Sequence, residues 1–371
     1  MLKSKKSKLF LDSMLDTLLL QCAINKAWEY QTLALPNPSV GALLYAPQYG
    51  IISLQAHQKA GAPHAEVLAF AYGARKLFAH QGKLDLITHL DSLLGLPLTQ
   101  QSEALHTFLI QNAQDLFQDC TLYVTLEPCT HFGKTPPCVE LTKAMRPKRV
   151  VIGTSDPHTQ ASGGTKTLQQ AGIEVVRGIC EEAAQALLYP FVCWQNNGYF
   201  RLFKLAMRIN GDYTSGQISQ KATQIFTHNQ RSVSDTIIVS GETFRTDMPR
   251  LDSRFATPPY DSTHTPNVEI LTRSTLTPTI NPHFASRPAK ICHSPDSLDT
   301  HRGFCIIEGG FGLLATLQQD IDMVLLHIAP NFYPNALPHA SSNATHDTLY
   351  TLHLLHTTSH TGDISLWFKN P

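Results

Sequence analysis

The chain has 371 residues, 42% of them hydrophobic and 16% charged, enough for two ordinary domains with cores of their own and too apolar for a disordered chain. Lys plus Arg and Asp plus Glu each total 29, so the formal charge of zero argues against a broad electrostatic grip on nucleic acid or an anionic membrane. The eight cysteines form no regular framework, and a reducing cytoplasm is expected.

Lys3, Lys5, Lys6 and Lys8 precede Leu9-Phe10-Leu11, a start resembling a secretory signal, but Asp12, Asp16 and Gln21 interrupt the next two turns and no small-x-small site closes them. The segment 11–33 instead predicts an amphipathic helix, with Leu15, Leu18, Leu19, Cys22 and Ala23 at helical spacing and Pro36-Asn37-Pro38 as its stop. No apolar run approaches the length of a membrane span, so no membrane partner is expected. Val40–Tyr45 and Gly50–Leu54 read as a hairpin, Gly61-Ala62-Pro63 as a turn, and His64 as the start of a helix through Val67, Leu68, Phe70 and Ala71. The Leu- and Gln-rich stretch 76–118 has mixed helical periodicity, broken near Gly95-Leu96-Pro97. Strands come next at 122–126, 149–153 and 173–176, with a helix at 165–171 capped by Gly172. This alternation predicts a three-layer α/β domain over residues 1–190. A second α/β unit with its own sheet is expected over 198–371, after Asn196-Asn197-Gly198. Its strands fall at 200–206, 236–239, 268–271, 305–307, 323–328 and 364–368, with a loop-rich stretch at 257–300 and a helix after Glu308-Gly309-Gly310. There are no internal repeats.

His64-Ala65-Glu66 and Pro128-Cys129…Pro137-Cys138 belong together chemically. One imidazole and two thiolates leave a fourth tetrahedral position open, the arrangement of a catalytic rather than a structural zinc. Such an ion lowers the pKa of water toward neutrality, and Glu66, two residues after His64, is placed to shuttle a proton to a leaving amine without binding the metal. Zinc deaminases of nucleobases divide the work in this way. His-x-Glu and Pro-Cys are each weak signals alone; their conjunction, one on a helix after a hairpin and the other just after a strand, is strong. The remaining cysteines, Cys22, Cys120, Cys180, Cys193, Cys292 and Cys305, read as small buried hydrophobes.

The eight residues between Cys129 and Cys138 depart from the Cys-x-x-Cys of cytidine and adenosine deaminases. With Pro36-Asn37-Pro38-Ser39-Val40-Gly41, His57-Gln58-Lys59-Ala60-Gly61-x-Pro63-His64-Ala65-Glu66, Tyr123 through Cys138, Asp156-Pro157 and Gln169-Gln170-Ala171-Gly172-Ile173, the chain resembles the bifunctional deaminase/reductase family of riboflavin biosynthesis. The resemblance implies a cytidine-deaminase-like zinc domain acting on a phosphoribosylated diaminopyrimidinone, a small-molecule partner. It implies Asn37, His57, Thr130, His131, Lys134 and Asp156 in the substrate pocket, although Asn37 between prolines is equally a turn residue. His158 departs from the family's Asn, and the stretch between Glu66 and Cys129 is much longer than the family's. The extra segment near 76–118 reads as a helical insertion that packs locally, covers the site or serves an interface.

The C-terminal half resembles the same family's dihydrofolate-reductase-like domain. The shared residues are Lys204-x-Ala206-Met207, Gly211, Arg231, Gly241-x-Thr243, Asp247-x-Pro249-x-Leu251, Arg254, Glu308-Gly309-Gly310, Asp322 and Ala329-Pro330, in that order. Glycines after a buried strand let backbone amides approach a pyrophosphate at a helix start. The resemblance implies NADPH near Lys204, Ser240, Gly241, Gly309 and Gly310. It implies the phosphorylated substrate near Arg231, Asp247, Leu251, Arg254 and Glu308, with a mutual surface pair as the alternative for Asp247 and Arg254. Here the family's Ser-x-Asp-Gly reads Arg208-Ile209-Asn210-Gly211, the segment after it is short and lacks its Trp, and Met248 replaces an acidic residue. Two functional readings therefore stand. One is zinc deamination followed by NADPH-dependent reduction; the other is a deaminase whose second domain binds without transferring hydride. A homo-oligomer is open, and nucleic acid is not an expected partner.

Overall fold

The computed structural model describes residues 2–131, 136–157, 163–214, 216–333 and 349–371. The chain divides into two compact units, Met1–Tyr189 and Pro190–Pro371.

In the first unit, α1 (Leu2–Trp28) precedes a hairpin of β1 (Gly41–Ala46) and β2 (Gly50–Ala56), followed by α2 (Ala65–His80). The long stretch after α2 folds into α3 (Leu84–Leu94) and α4 (Leu98–Asn112). Then come β3 (Thr121–Leu126), α5 (Cys138–Met145), β4 (Arg149–Thr154), α6 (Gly164–Gln170), β5 (Glu174–Arg177) and α7 (Glu181–Asn197), within which the unit boundary falls beside Pro190. The sheet order is β2-β1-β3-β4-β5, with the first three strands antiparallel and β3, β4 and β5 parallel. Strand alternation places helices on both faces. A Cβ at Gly41 would meet Ala23 and Ala27 of α1, whereas Leu44, three residues on, packs against Gly73 of α2. Coverage on both sides explains why Leu122–Leu126 and Val150–Ile152 are apolar almost without break.

The helix expected over 11–33 ends at Trp28. Its apolar spacing continues, but the N–H groups of Tyr30, Gln31 and Leu33 bond carbonyls three residues back, and Thr32 takes a left-handed φ of 69°. Buried Gln31 accepts from the Ser39 hydroxyl and donates to the Leu187 carbonyl, so side-chain contacts far along the chain shape this turn.

The second unit begins with β6 (Tyr199–Arg208), α8 (Lys221–Val233), β7 (Thr236–Ser240), α9 (Gly241–Thr246), β8 (Asn267–Leu271) and β9 (Lys290–Cys292). It continues with β10 (Gly303–Glu308), α10 (Phe311–Leu317), β11 (Met323–Ala329), β12 (His353–His360) and β13 (Asp363–Lys369). Eight strands in the order β12-β13-β11-β6-β10-β7-β8-β9 make the sheet; β13 pairs antiparallel with both β12 and β11, and all the other pairs are parallel. One core packs Phe203, Leu205, Ile238, Ile307 and Val324 against Leu313 and Leu317 of α10. The loop-rich stretch 257–300 contains β9 in addition to the expected strand, and β12 is a further strand without an apolar alternation strong enough to predict it.

Candidate active site and metal centre

His64 occupies the extended N-cap position of α2, Cys129 follows β3, and Cys138 opens α5. His64 Nδ1 lies 3.2 Å from Cys138 Sγ and 3.7 Å from Cys129 Sγ, and the three ligand atoms fall within 4.8 Å of one another. A tetrahedral zinc with ordinary Zn–N and Zn–S bonds spaces such atoms about 3.5–3.8 Å apart, so the donor set fits that ion in both chemistry and size. The Cys138 backbone N–H also points at Cys129 Sγ, at 3.4 Å. A hydrogen bond from Cys138, then the His64 ring, hold the Cys129 thiol down at about 4, while the same bond and burial push Cys138 up. Burial works against a charged His64, but hydrogen bonding and charge from Cys129 and the nearby Glu66 raise it overall.

Glu66 sits in the first turn of α2, two residues after His64, and is only 4% exposed. Burial pushes its carboxyl up to about 7, against the nearby His64, which lowers it. His57 is tied at both nitrogens: Nδ1 lies 3.0 Å from the Pro63 carbonyl and Nε2 3.1 Å from the Asn37 amide. A carbonyl only accepts, so Nδ1 donates; burial and His64 hold the ring down at about 4, so it is neutral and Nε2 accepts from Asn37. His57 thus braces Pro63, the residue before His64, and its ring stands edge-on to the His64 ring at 5.4 Å. Thr130 and His131 follow Cys129 directly, and Asp156 lies two residues past β4. Lys134 and His158 lie outside the described residues.

In the second unit, Lys204 of β6 and Val239 of β7 both pair with Glu308, the last residue of β10, so Ser240, Gly241, Gly309 and Gly310 continue from carboxyl ends of neighbouring parallel strands. Such a crevice is where open α/β sheets take nucleotides. Arg231 grips Glu308 with a two-pronged bond, Nε–Oε1 2.8 Å and Nη2–Oε2 2.7 Å, and Nη1 reaches the Asp252 carbonyl at 3.2 Å. Burial opposes charge on all three neighbouring groups. The Arg231 guanidinium and Lys204 nevertheless hold Glu308 down at about 2, while burial keeps Lys204 below its ordinary value. A buried lysine beside a neutralised ion pair suits an anionic ligand. The glycines, by contrast, open no cradle on their side-chain faces. A Cβ at Gly241 would meet Thr272 at 2.5 Å, at Gly309 Leu313 at 2.7 Å, and at Gly310 the Tyr213 ring at 2.5 Å. The Ser240 hydroxyl already accepts the Thr243 N–H as the cap of α9.

Arg254 pairs with Asp252 at 2.6 Å rather than with Asp247, whose carboxylate accepts from the Thr246 hydroxyl. Leu251 is buried and, like Met248, has a left-handed φ, 50° and 45° respectively. Sequence reasoning passed over Asp252. It also passed over His228, whose Nδ1 faces the Phe255 N–H at 3.4 Å, and Arg287, which donates to the carbonyls of Arg250, Leu251 and Pro266. The only sequence signal for His228 was its place three residues before Arg231, one helical turn away. The carboxylate missing at Asn210 has a neighbour in Asp212, buried and ion-paired with Arg208 at 3.3 Å.

Residues 14–154 match the family described as the cytidine and deoxycytidylate deaminase zinc-binding region. Riboflavin biosynthesis protein RibD of Aquifex aeolicus is 32% identical over 249 residues, covering 65% of this chain and 58% of that protein. RibD of Actinobacillus pleuropneumoniae is 38% identical over 141 residues, 36% of this chain and 38% of that one. The chain thus spans no more than about three-fifths of the length of these curated relatives. Among solved structures, Acinetobacter baumannii RibD covers 97% of this chain and 99% of its own at 23% identity and a TM-score of 0.58. The deaminase/reductase of Thermotoga maritima covers 97% and 100% at 21% and 0.58, which extends the likeness of fold to both units. The zinc-binding region, the two-unit fold and these relatives thus agree in making the chain similar to RibD proteins of riboflavin biosynthesis, with the zinc-binding region of cytidine and deoxycytidylate deaminases in its first unit.

Proposed function

We propose that the first unit is a zinc-dependent hydrolytic deaminase of a phosphoribosylated diaminopyrimidinone, and that the second reduces the ribosyl group of its product to ribityl with NADPH. The observation carrying this reading is the cluster of His64, Cys129 and Cys138 with the buried Glu66 beside it. A bound zinc ion supplies a Lewis acid that brings the pKa of water toward neutrality. Glu66, with a carboxyl near 7, accepts a proton from the attacking water and returns it to the leaving amine nitrogen. His57 and Asn37 hold Pro63 and so aim His64; the Asn37 amide oxygen is the group left to read a base edge. Thr130, His131, Lys134 and Asp156 complete the substrate pocket, Lys134 as a cation for phosphate.

In the second unit, NADPH supplies the hydride. Lys204, Ser240, Gly241, Gly309 and Gly310 would hold it, through backbone N–H groups at the last four, since the Ser240 hydroxyl and the glycine faces are engaged by the chain itself. Arg231, Asp247, Leu251, Arg254 and Glu308 would surround the phosphorylated substrate, with Glu308 keeping the Arg231 fork in place. Residues 1–190 and 198–371 are the domains of this scheme. A small-molecule substrate rather than nucleic acid, and a cytoplasmic setting, go with it; among the described residues no helix is long and apolar enough to cross a membrane.

The test is an assay of the zinc-loaded chain with the phosphorylated diaminopyrimidinone, monitoring ammonia and NADPH together. Stoichiometric release of one and oxidation of the other is expected. Ammonia without NADPH oxidation would restrict catalysis to the first unit, and absence of both would overturn the proposal.

A further inference from the structure

Three neighbouring side chains of α8 hold the loop that follows Leu251, each at a different backbone group. Arg231 Nη1 donates to the Asp252 carbonyl at 3.2 Å, His228 Nδ1 accepts the Phe255 N–H at 3.4 Å, and Asn229 Oδ1 accepts the Thr257 N–H at 3.0 Å. His228 and Asn229 are only 6% and 8% exposed, so a bond left unmade here is not replaced cheaply by water. Arg254 lies between the first two anchors and outside the third. Its guanidinium stands over the Phe255 ring at 4.7 Å and pairs with Asp252 at 2.6 Å. The same Phe255 ring meets the His228 ring at 4.8 Å, the planes inclined by 64°.

A backbone N–H only donates, so Nδ1 of His228 carries no proton. Burial, with Arg231 and Arg254 next, holds this ring down at about 4, and at neutral pH it is uncharged. What His228 gives the loop is therefore an acceptor, not a charge. An arginine on a loose loop loses backbone and side-chain freedom when it grips an anion. A segment already held at 252 and 255 has less of that freedom to lose.

Resting on the reading of Arg254 as a ligand of the substrate phosphate, we propose that His228 is a positioning residue of that anion site: by accepting the Phe255 N–H it fixes the segment 252–255 and so presents the Arg254 guanidinium. The experiment titrates the zinc-loaded full chain with ribose 5-phosphate in a calorimeter, with ribose as the phosphate-free control and circular dichroism reporting the fold. His228→Ala is expected to bind ribose 5-phosphate about tenfold more weakly than wild type. His228→Asn, whose amide oxygen stands where Nδ1 stood, should restore the affinity; His228→Gln, which reaches to the Nε2 position instead, should not. Asn229→Ala, which frees the loop beyond Arg254, should lower thermal stability with little change in affinity. His228→Ala combined with Arg254→Ala should bind no more weakly than Arg254→Ala alone, because a residue acting through Arg254 then has nothing left to position.

Wild-type affinity in folded His228→Ala overturns the role, and so do an additive loss in the double variant and an equal loss from Asn229→Ala. Rescue by Gln in place of Asn also overturns it, by making Nε2 a direct ligand; these two variants decide the matter if His228→Ala fails to fold. Wild-type affinity in Arg254→Ala, or a wild-type chain that binds ribose 5-phosphate no better than ribose, would instead overturn the reading of Arg254 on which the role rests.

Discussion

Glu66 holds its proton near neutrality because its carboxyl is buried, and the chemistry asked of it needs a group that both accepts and gives a proton there. Glu66→Gln keeps the shape and removes the titration. On the proposed function, ammonia release should slow by about 10²–10⁴ in kcat with bound zinc unchanged, and full release by the variant would remove Glu66 from the proton's path. Glu308 is the opposite case. Burial disfavours its charge, but Arg231 and Lys204 hold it at about 2, below the ordinary 4.5. A depressed carboxyl stabilises the fold above its unfolded pKa, and that contribution is lost as pH falls from about 4.5 toward 2. Glu308→Gln, which leaves Arg231 buried without its counter-charge, should cost about 3–5 kcal/mol at neutral pH. The gap from wild type should narrow on acidification through that window, as read by urea unfolding; a gap independent of pH would show that the carboxylate's charge is not the source.

At the scale of elements, loops carry the site and helices hold the loops. The N-terminus of α6 lies against Pro128-Cys129: a Cβ at Gly164 would run into the Pro128 carbonyl oxygen, and the Thr165 N–H donates to Glu127 at 2.7 Å. Gly164→Ala must therefore shift either α6 or the chain entering Cys129. Faster zinc loss to a chelator is the expected outcome, and an unchanged rate would mean that α6 yields instead. In the second unit, Arg287 gathers the carbonyls of Arg250, Leu251 and Pro266 around one guanidinium stacked on Phe284, and so holds a loop with left-handed Met248 and Leu251. A lysine has no fork. Arg287→Lys should lower stability by about 1–3 kcal/mol and, on the proposed function, raise KM for the second unit's substrate more than it lowers kcat; unchanged stability and KM would make these bonds incidental.

Across the whole molecule, each unit has a sheet and a core of its own, Leu122–Leu126 and Val150–Ile152 in the first, Phe203, Ile238, Ile307 and Val324 in the second. A ligand bound only by the native form of one unit raises the stability of that unit. Calorimetry of the zinc-loaded chain should show two transitions, with chelation lowering one and Glu308→Gln the other. A single transition moved by both changes would contradict independent cores.

The sequence by itself determined the local chemistry and the order of elements. His64 and Glu66 are two residues apart at a helix start, and Pro128-Cys129 and Pro137-Cys138 are likewise local motifs, so the metal set was legible before any fold. The strands of both sheets were readable wherever burial on two faces makes them apolar, and β12, with its mixed residues, was not. Only the tertiary structure decided which partner each polar group takes. His57, expected in a substrate pocket, has both nitrogens engaged by Asn37 and Pro63, and Arg254 chooses Asp252 over Asp247. The physical reason is the same in each case. Burial makes an unpaired donor or acceptor costly, and which partner lies within about three ångströms depends on packing between segments distant in the chain, which no local pattern encodes.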